Sequence, residues 1–229
     1  MLTAILGRVR SELAGWVPDL REALAAREPA EVVEAVLTET EANLMRIVET
    51  TPDPGWTAPH MRAFTISGAI YVAFYLALAA RGRTAAWVWE VCDAATRAHF
   101  ARMGAFEKKL ASDGMFGFPM KALSRWVAGR SQRAPVGDWV FRFVEGEEGF
   151  AYGVDYERCA IRELAVRSGA ADFAPYICLA DIAGSEAFGW GLQRSETLAQ
   201  GGRRCDFRFT QGGPTRVRVH LPVVDANGR

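Results

Sequence analysis

The sequence predicts an α+β fold in which a helical N-terminal half packs on an antiparallel β-sheet with two inserted helices. Apolar residues recur at helical spacing through the first part of the chain, whereas from residue 138 they alternate as in strands. Half of the 229 residues are apolar, which is enough for one sizeable core. We therefore expect a helical region at 1–130 and an α+β region at 138–229, together forming one compact unit.

Prolines mark the beginnings of the first predicted helices. Pro18, Pro29 and Pro59 each stand where a proline fits the first turn of a helix. From Pro29 to Thr50 the apolar residues follow helical spacing, with glutamates on the opposite face. Thr57 is the expected cap of the helix that follows.

The most apolar segment, residues 66–80, lies between two arginines. It is shorter than the roughly 20 residues that a bilayer span needs, so we interpret it as a core helix. Thr84 is placed to cap the next helix, which the pattern extends to about Ala111, and a short helix follows Pro119. Residues 129–137 have the composition of turns and predict a linker.

The strand pattern begins after this linker. The stretch DWVFRFVE at 138–145 alternates, and GEEG joins it to FAYGVDY, which predicts a β-hairpin. Residues 157–168 and 174–188 return to helical spacing and are the two inserted helices. The last strands are expected in LQRSETLAQ, CDFRFTQ and TRVRVHLP, with GGRR at 201–204 as a tight turn between the first two.

The charges exclude some classes of function. The chain has 27 basic and 27 acidic residues, so neither nucleic acid nor a membrane is an expected partner. We expect a small-molecule substrate, with a homo-oligomer left open. Arg8 and Arg10 interrupt the apolar N-terminal stretch, which therefore does not fit a secretory signal. The expected compartment is the cytoplasm, where cysteines stay reduced.

Cys178 and Asp181 are the first candidate catalytic pair. On the helix predicted at 174–188, their i, i+3 spacing places thiol and carboxylate on one face, with Tyr176 on another. A carboxylate can take a proton from a thiol or from water, or hold an amidinium. It would also raise the pKa of the thiol, so a reactive thiolate needs a cation such as Arg158 or Arg204. The alternative is a cysteine that only packs and an aspartate that points outward or caps a chain end.

Two further cysteines lie in the same third of the chain. Cys159 opens the first inserted helix, where the positive end of the helix dipole favours thiolate. Cys205 starts a strand after the glycine turn. The three cysteines are separated by 18 and 26 residues, without the close pair that zinc sites normally contain. We therefore expect no metal and no cofactor, and zinc remains the alternative.

Several pieces of this region resemble the C-terminal signature of the L-2-amino-thiazoline-4-carboxylic acid hydrolase family. They are RC at 158–159, APYICLAD at 174–181, TLAQGG at 197–202 and RCDFRF at 204–209. The same region is similar to vinyl-reductase-like small-molecule-binding domains. The first resemblance implies hydrolytic opening of a cyclic amidine-type C–N bond. In the name-giving reaction a 2-aminothiazoline ring becomes N-carbamoyl-cysteine.

The resemblance also implies roles for these residues. Cys178 would attack the ring carbon between sulfur and nitrogen, or position a water that does so. Asp181 would move the proton and hold the amidinium, with Cys159 or Cys205 as a second thiol. The expected catalytic residues are thus these four.

The matched pieces also contain the expected substrate-binding residues Arg158, Tyr176 and Thr197, with Arg158 receiving the substrate carboxylate. Two other functions stay open at this point. One is a small-molecule-binding or sensing module whose cysteines are structural or hold a metal. The other is a different biosynthetic enzyme on the same scaffold.

Overall fold

The computed structural model describes residues 1–53, 59–219 and 221, without the side chains of residues 59 and 60. It has the predicted α+β class. After a short 3-10 turn, the helical half consists of α1 (Leu6–Ala25), α2 (Ala30–Thr50), α3 (Pro59–Ala79), α4 (Ala85–Arg102), α5 (Ala105–Phe116) and α6 (Phe118–Ser131). The expected cap Thr57 lies outside the described residues.

Two helix boundaries differ from those predicted. Pro18 lies inside α1 rather than in its first turn. The helix expected to run to about Ala111 ends at Arg102, and α5 begins after Gly104. Met103 and Gly104 both have extended backbone angles, which interrupt the helical path. Thr84 caps α4 as predicted, because its hydroxyl accepts a hydrogen bond from the backbone N–H of Trp87.

Helix α3 occupies the centre of the core. It packs against α1, α2, α4 and α7. Its segment Met61–Ala79 is long and apolar enough to cross a membrane, but 72% of that stretch is buried inside the protein. This burial is what the sequence predicts for a core helix. Phe74, Ile66, Ile70 and Leu78 are among its fully buried side chains.

The sheet is formed by β1 (Val140–Glu147), β2 (Phe150–Arg158), β3 (Gln193–Arg194), β4 (Cys205–Phe209) and β5 (Arg216–Val217), in the order β1-β2-β4-β3-β5. The prediction of a wholly antiparallel sheet is wrong at one edge, where β3 and β5 are parallel. The chain reverses direction between β3 and β4 and again before β5, so these two strands run the same way.

The segments around the sheet also differ from the prediction. LQRSETLAQ forms only the two-residue strand β3 and a 3-10 turn at Leu198–Gln200. The hairpin strand β2 continues to Arg158, so the first inserted helix, α7 (Ala160–Arg167), starts later than expected. Of the predicted strand TRVRVHLP, only Arg216–Val217 is a strand, and its residues 220 and 222 lie outside the described residues.

The second inserted helix is divided. Residues 174–188 form α8 (Ala174–Ile177) and α9 (Ala180–Phe188), with Cys178 and Leu179 between them. Both connecting residues keep right-handed helical angles. The thiol of Cys178 and the carboxylate of Asp181 therefore stay on neighbouring turns, as the i, i+3 spacing predicts.

Candidate active site

A cavity of about 520 Å³ lies between one face of the sheet and the helices that cover it. Alternate residues of β2 and β4 form the floor, because side chains two apart on a strand share a face. They are Tyr152, Val154, Tyr156, Cys205, Phe207 and Phe209. Helices α3 and α5 to α9 supply most of the remaining walls. The cavity therefore lies where the helical half meets the sheet.

Three of the four cysteines meet at one end of this cavity. Cys159, Cys178 and Cys205 all line it. They lie close enough that a negative charge on one thiol would raise the pKa of another. Cys159 directly follows β2, and Cys205 pairs in register with Tyr156 of that strand. Cys178 enters from the junction of α8 and α9. All four cysteines of the chain are free thiols, and Cys92 lies apart in the helical core.

Burial keeps these thiols protonated at neutral pH. It raises the pKa of Cys178 to about 11 and the pKa of Cys205 to about 12, and it raises the pKa of Cys159 above its ordinary value. Hydrogen bonds to Cys178 from Thr197 and to Cys205 from the backbone N–H of Leu198 oppose these shifts without cancelling them. At Cys159, burial thus outweighs the helix terminus that favours thiolate.

Asp181 shares this end of the cavity with an arginine that the sequence reasoning missed. Arg194 of β3 is fully buried, and its Nη1 donates a hydrogen bond to Oδ2 of Asp181. Its Nη2 donates to the carbonyl oxygen of Cys178 at 2.9 Å, and its guanidinium lies 5.2 Å from the ring centre of Phe207. No motif marks Arg194 in the sequence. The sequence offers one signal for it: a carboxylate buried among apolar residues, such as Asp181, needs a cationic partner.

The carboxylate of Asp181 faces the cavity rather than bulk water. Its side chain is 39% accessible, yet loss of solvation raises its pKa above the ordinary value, and the charge of Arg194 reverses that rise only in part. Asp181 lines the cavity, which accounts for both its accessibility and its poor solvation. A raised pKa makes this carboxylate a stronger base than a solvated aspartate.

The predicted substrate-binding residues separate in the structure. Thr197 lines the cavity, whereas Arg158 and Tyr176 do not. The guanidinium of Arg158 donates to the backbone carbonyls of residues 134, 135 and 138, and so holds the linker before β1. Tyr176 is buried and stacks on Phe173. Arg204, a suggested partner for the thiols, instead pairs with acidic side chains of residues 155 and 196.

Asp206, the second aspartate of the matched pieces, supports the turn that carries Arg194. Its Oδ1 accepts hydrogen bonds from the backbone N–H groups of Ser195 and Glu196, and its Oδ2 accepts one from the Ser195 hydroxyl. Burial alone would raise the pKa of Asp206, but these hydrogen bonds hold it below the ordinary value. This residue therefore fixes the backbone that follows β3.

A glycine fixes the other approach to β3. Gly191 has a φ of +57°, and a side chain there would collide with the carbonyl oxygen of Thr210. The flanking residues Trp190 and Leu192 both line the cavity. Over the part of the chain that the structure describes, no group of three or more His, Cys, Asp or Glu residues is arranged to hold a metal ion.

Residues 63–209 match the family of L-2-amino-thiazoline-4-carboxylic acid hydrolase. The chain belongs to this family. The match covers more than half of the chain, and it extends upstream of the resembling pieces into α3. It includes Cys159, Cys178, Asp181, Arg194 and Cys205. Neither the curated proteins nor the solved structures contain a match to this chain.

Proposed function

We propose that the protein is a hydrolase that attacks the cyclic amidine of a small substrate such as 2-aminothiazoline-4-carboxylate, using Cys178 and Asp181. One observation carries the proposal. A thiol, a carboxylate of raised pKa and a buried arginine meet in a single cavity, and all three lie within the family match. Such a set can bind an amidinium and move a proton beside it.

In the proposed reaction Asp181 takes a proton from a water molecule while the oxygen of that water adds to the ring carbon between sulfur and nitrogen. The ring nitrogen keeps the proton that it carries in the amidinium and becomes neutral as the C–N double bond becomes a single bond, and Asp181 later releases the water proton to solvent. The tetrahedral carbon then forms a carbonyl, its hydroxyl proton goes to the ring sulfur, and the C–S bond breaks. Both nitrogens stay on the carbonyl carbon, as an N-carbamoyl product requires. Water thus adds to the C–N double bond, and the ring opens when the C–S bond breaks.

The protonated state of Cys178 favours water over the thiol as the attacking group. With a pKa of about 11, this thiol carries little negative charge at neutral pH. An S–H group beside the reacting carbon can instead donate a hydrogen bond to the departing sulfur. Cys159 and Cys205 are second thiols at the same end of the cavity, and Thr197 orients Cys178 through its hydroxyl.

The charges of the site fit the two ends of such a substrate. Asp181 would hold the amidinium. The carboxylate of the substrate needs a cation other than Arg158, because the guanidinium of Arg158 already donates to backbone carbonyls. Arg162 lines the cavity and has an exposed side chain, so we assign it this contact.

Two substitutions test the proposal. Asp181→Asn removes the base but keeps the shape, and we expect ring opening to fall at least 100-fold, as for loss of a general base. Cys178→Ala should lower kcat less, by about 10-fold, because water and not sulfur attacks. The assay follows release of the free thiol from 2-aminothiazoline-4-carboxylate and related cyclic amidines.

Matched controls separate chemistry from folding. Cys92→Ala removes a buried thiol outside the cavity, and Asp93→Asn neutralises a carboxylate that pairs with Arg97 on α4. Both control variants should turn over at rates near that of the wild type. Near-normal turnover in Asp181→Asn and Cys178→Ala together would refute the Cys/Asp assignment.

A second function, small-molecule binding or sensing without turnover, is favoured by one observation. All three thiols at the site have raised pKa values and would react slowly. Elemental analysis together with the ring-opening assay distinguishes the two functions. Metal that is released only on unfolding would favour the binding module, whereas a metal-free protein that opens the ring of 2-aminothiazoline-4-carboxylate would favour the hydrolase.

A further inference from the structure

The cavity is larger than the compound that names the family requires. Even at the roughly 30 Å³ that a water molecule occupies in the liquid, the nine non-hydrogen atoms of 2-aminothiazoline-4-carboxylate would occupy only about 270 Å³. The cavity holds about 520 Å³. About half of it would therefore be empty with this substrate bound, and well-packed sites rarely leave such space.

The thiols and the ion pair of Asp181 and Arg194 lie at one end of the cavity. The floor is formed by three cross-strand pairs of β2 and β4: Tyr156 with Cys205, Val154 with Phe207 and Tyr152 with Phe209. It therefore runs from the thiol of Cys205 to the ring of Phe209. Four residue steps of a strand span about 13 Å. At the Cys205 end stand the thiols, Asp181 and Arg194.

The other end of the cavity is aromatic and apolar. Tyr152 contacts the rings of Phe116, Phe143 and Phe209. Met115 of α5 and Met120 of α6 complete this wall, and methionine adapts readily to apolar ligands. Lys121 and Arg125 lie over the rings of Tyr152 and Phe143, 5.7 and 4.5 Å from the ring centres, but neither is among the described residues that line the cavity.

Helix α5 forms the outer wall on this side. Leu110 lines the cavity although it is 63% exposed, so the cavity approaches the surface at α5. Only Ser112 of this helix is buried. An apolar group bound beneath α5 would cover side chains that otherwise face an empty space or water.

We infer that the substrate of this site is amphiphilic: a compact cyclic amidine head that binds at Asp181 and Arg194, joined to an alkyl or aryl tail that extends towards Tyr152 and Phe209. This inference rests on the proposed function for the reaction of the head. The tail itself is assigned from the shape and lining of the cavity.

A series of 2-aminothiazoline-4-carboxylates with unbranched alkyl chains of one to about twelve carbons on ring carbon 5 tests the inference. The change in affinity along the series is measured by calorimetry on Asp181→Asn, where turnover does not interfere and every head loses the same contact with Asp181, and kcat/KM is measured on the wild type. Each methylene should tighten binding about fourfold, as expected for burial of a CH₂ group. The gain should stop once the tail exceeds about 13 Å.

Two variants locate the tail. Met115→Trp narrows the aromatic end and should abolish the gain for the longer chains, while the shortest compound binds as before. Phe106→Trp, on the same helix, is the control, since Phe106 is 80% exposed and does not line the cavity. Val154→Phe, in the middle of the floor, repeats the test if Met115→Trp does not fold.

The outcomes separate this inference from the proposed function. Affinity that rises with chain length without any ring opening supports the amphiphilic ligand and refutes the hydrolase. Ring opening of the unsubstituted compound, with affinity that is flat or falls along the series, supports the hydrolase and overturns the inference. Failure of every compound both to bind Asp181→Asn and to be opened by the wild type overturns it as well.

Discussion

At the scale of single residues, the ion pair of Asp181 and Arg194 controls the proposed chemistry. Asp181 acts as a base only when it is a carboxylate, and loss of solvation raises its pKa. We therefore expect kcat/KM to decrease as the pH falls through this raised pKa, at a pH above the ordinary value of 3.8 for an aspartate. A pH–rate profile of the wild type measures the position of this acid limb.

The charge of Arg194 lowers the pKa of Asp181. Removing this charge should therefore shift the acid limb of the pH–rate profile to still higher pH. We expect Arg194→Met to shift the limb to higher pH and Arg194→Lys to leave it closer to the wild type. Arg97→Met, which removes an exposed arginine paired with residues 93 and 186, is the control. An acid limb that is unchanged in Arg194→Met would mean that another group is the base.

At the scale of elements, the segment after β3 depends on one aspartate. Asp206 accepts three hydrogen bonds from Ser195 and Glu196, next to Arg194. We expect Asp206→Ala to lower the free energy of unfolding by about 2 kcal/mol, because two backbone N–H groups lose their partner. Since the turn also holds Arg194, kcat should fall more than KM rises.

The matched control for this element is Ser195→Ala. It removes only the hydroxyl bond to Asp206 and should lower the free energy of unfolding by about 1 kcal/mol. Urea midpoints of the two variants give both values. Equal losses in the two variants would show that the backbone bonds to Asp206 contribute little.

The elements also explain which parts of the site the sequence can predict. Cys178 and Asp181 are three residues apart, so helical spacing alone places them together. Arg194 reaches Asp181 only through the pairing of the short strand β3 with β4, a contact that neither periodicity nor composition specifies. Arg158 lies in a matched piece, but the sequence does not show which way its guanidinium points. It points to the linker because backbone carbonyls 20 or more residues away accept its hydrogen bonds.

At the scale of the whole molecule, the fold class followed from the change of periodicity near residue 138, and α3 was predictable as the core helix from its composition. The broken helix at Cys178 and the parallel strand β5 were not predictable. Both depend on contacts between distant segments, which override local propensity. The cavity is a property of this level as well, since its walls come from both halves of the chain.

The contacts between the halves predict that they unfold together. Nε1 of Trp139 donates to Oγ1 of Thr65 at 2.9 Å, and the ring of Tyr75 stacks on Phe173 with centroids 4.5 Å apart.

Phe173 is fully buried, so Phe173→Ala should lower the free energy of unfolding by about 3–5 kcal/mol. If the halves form one cooperative unit, this single change lowers the urea midpoint seen by helical circular dichroism and the midpoint seen by tryptophan fluorescence by the same amount. Different shifts of the two midpoints would contradict a single cooperative unit. The cavity would then lie between two bodies that separate, and ligand binding, which needs both of its walls, would raise the midpoint of both transitions.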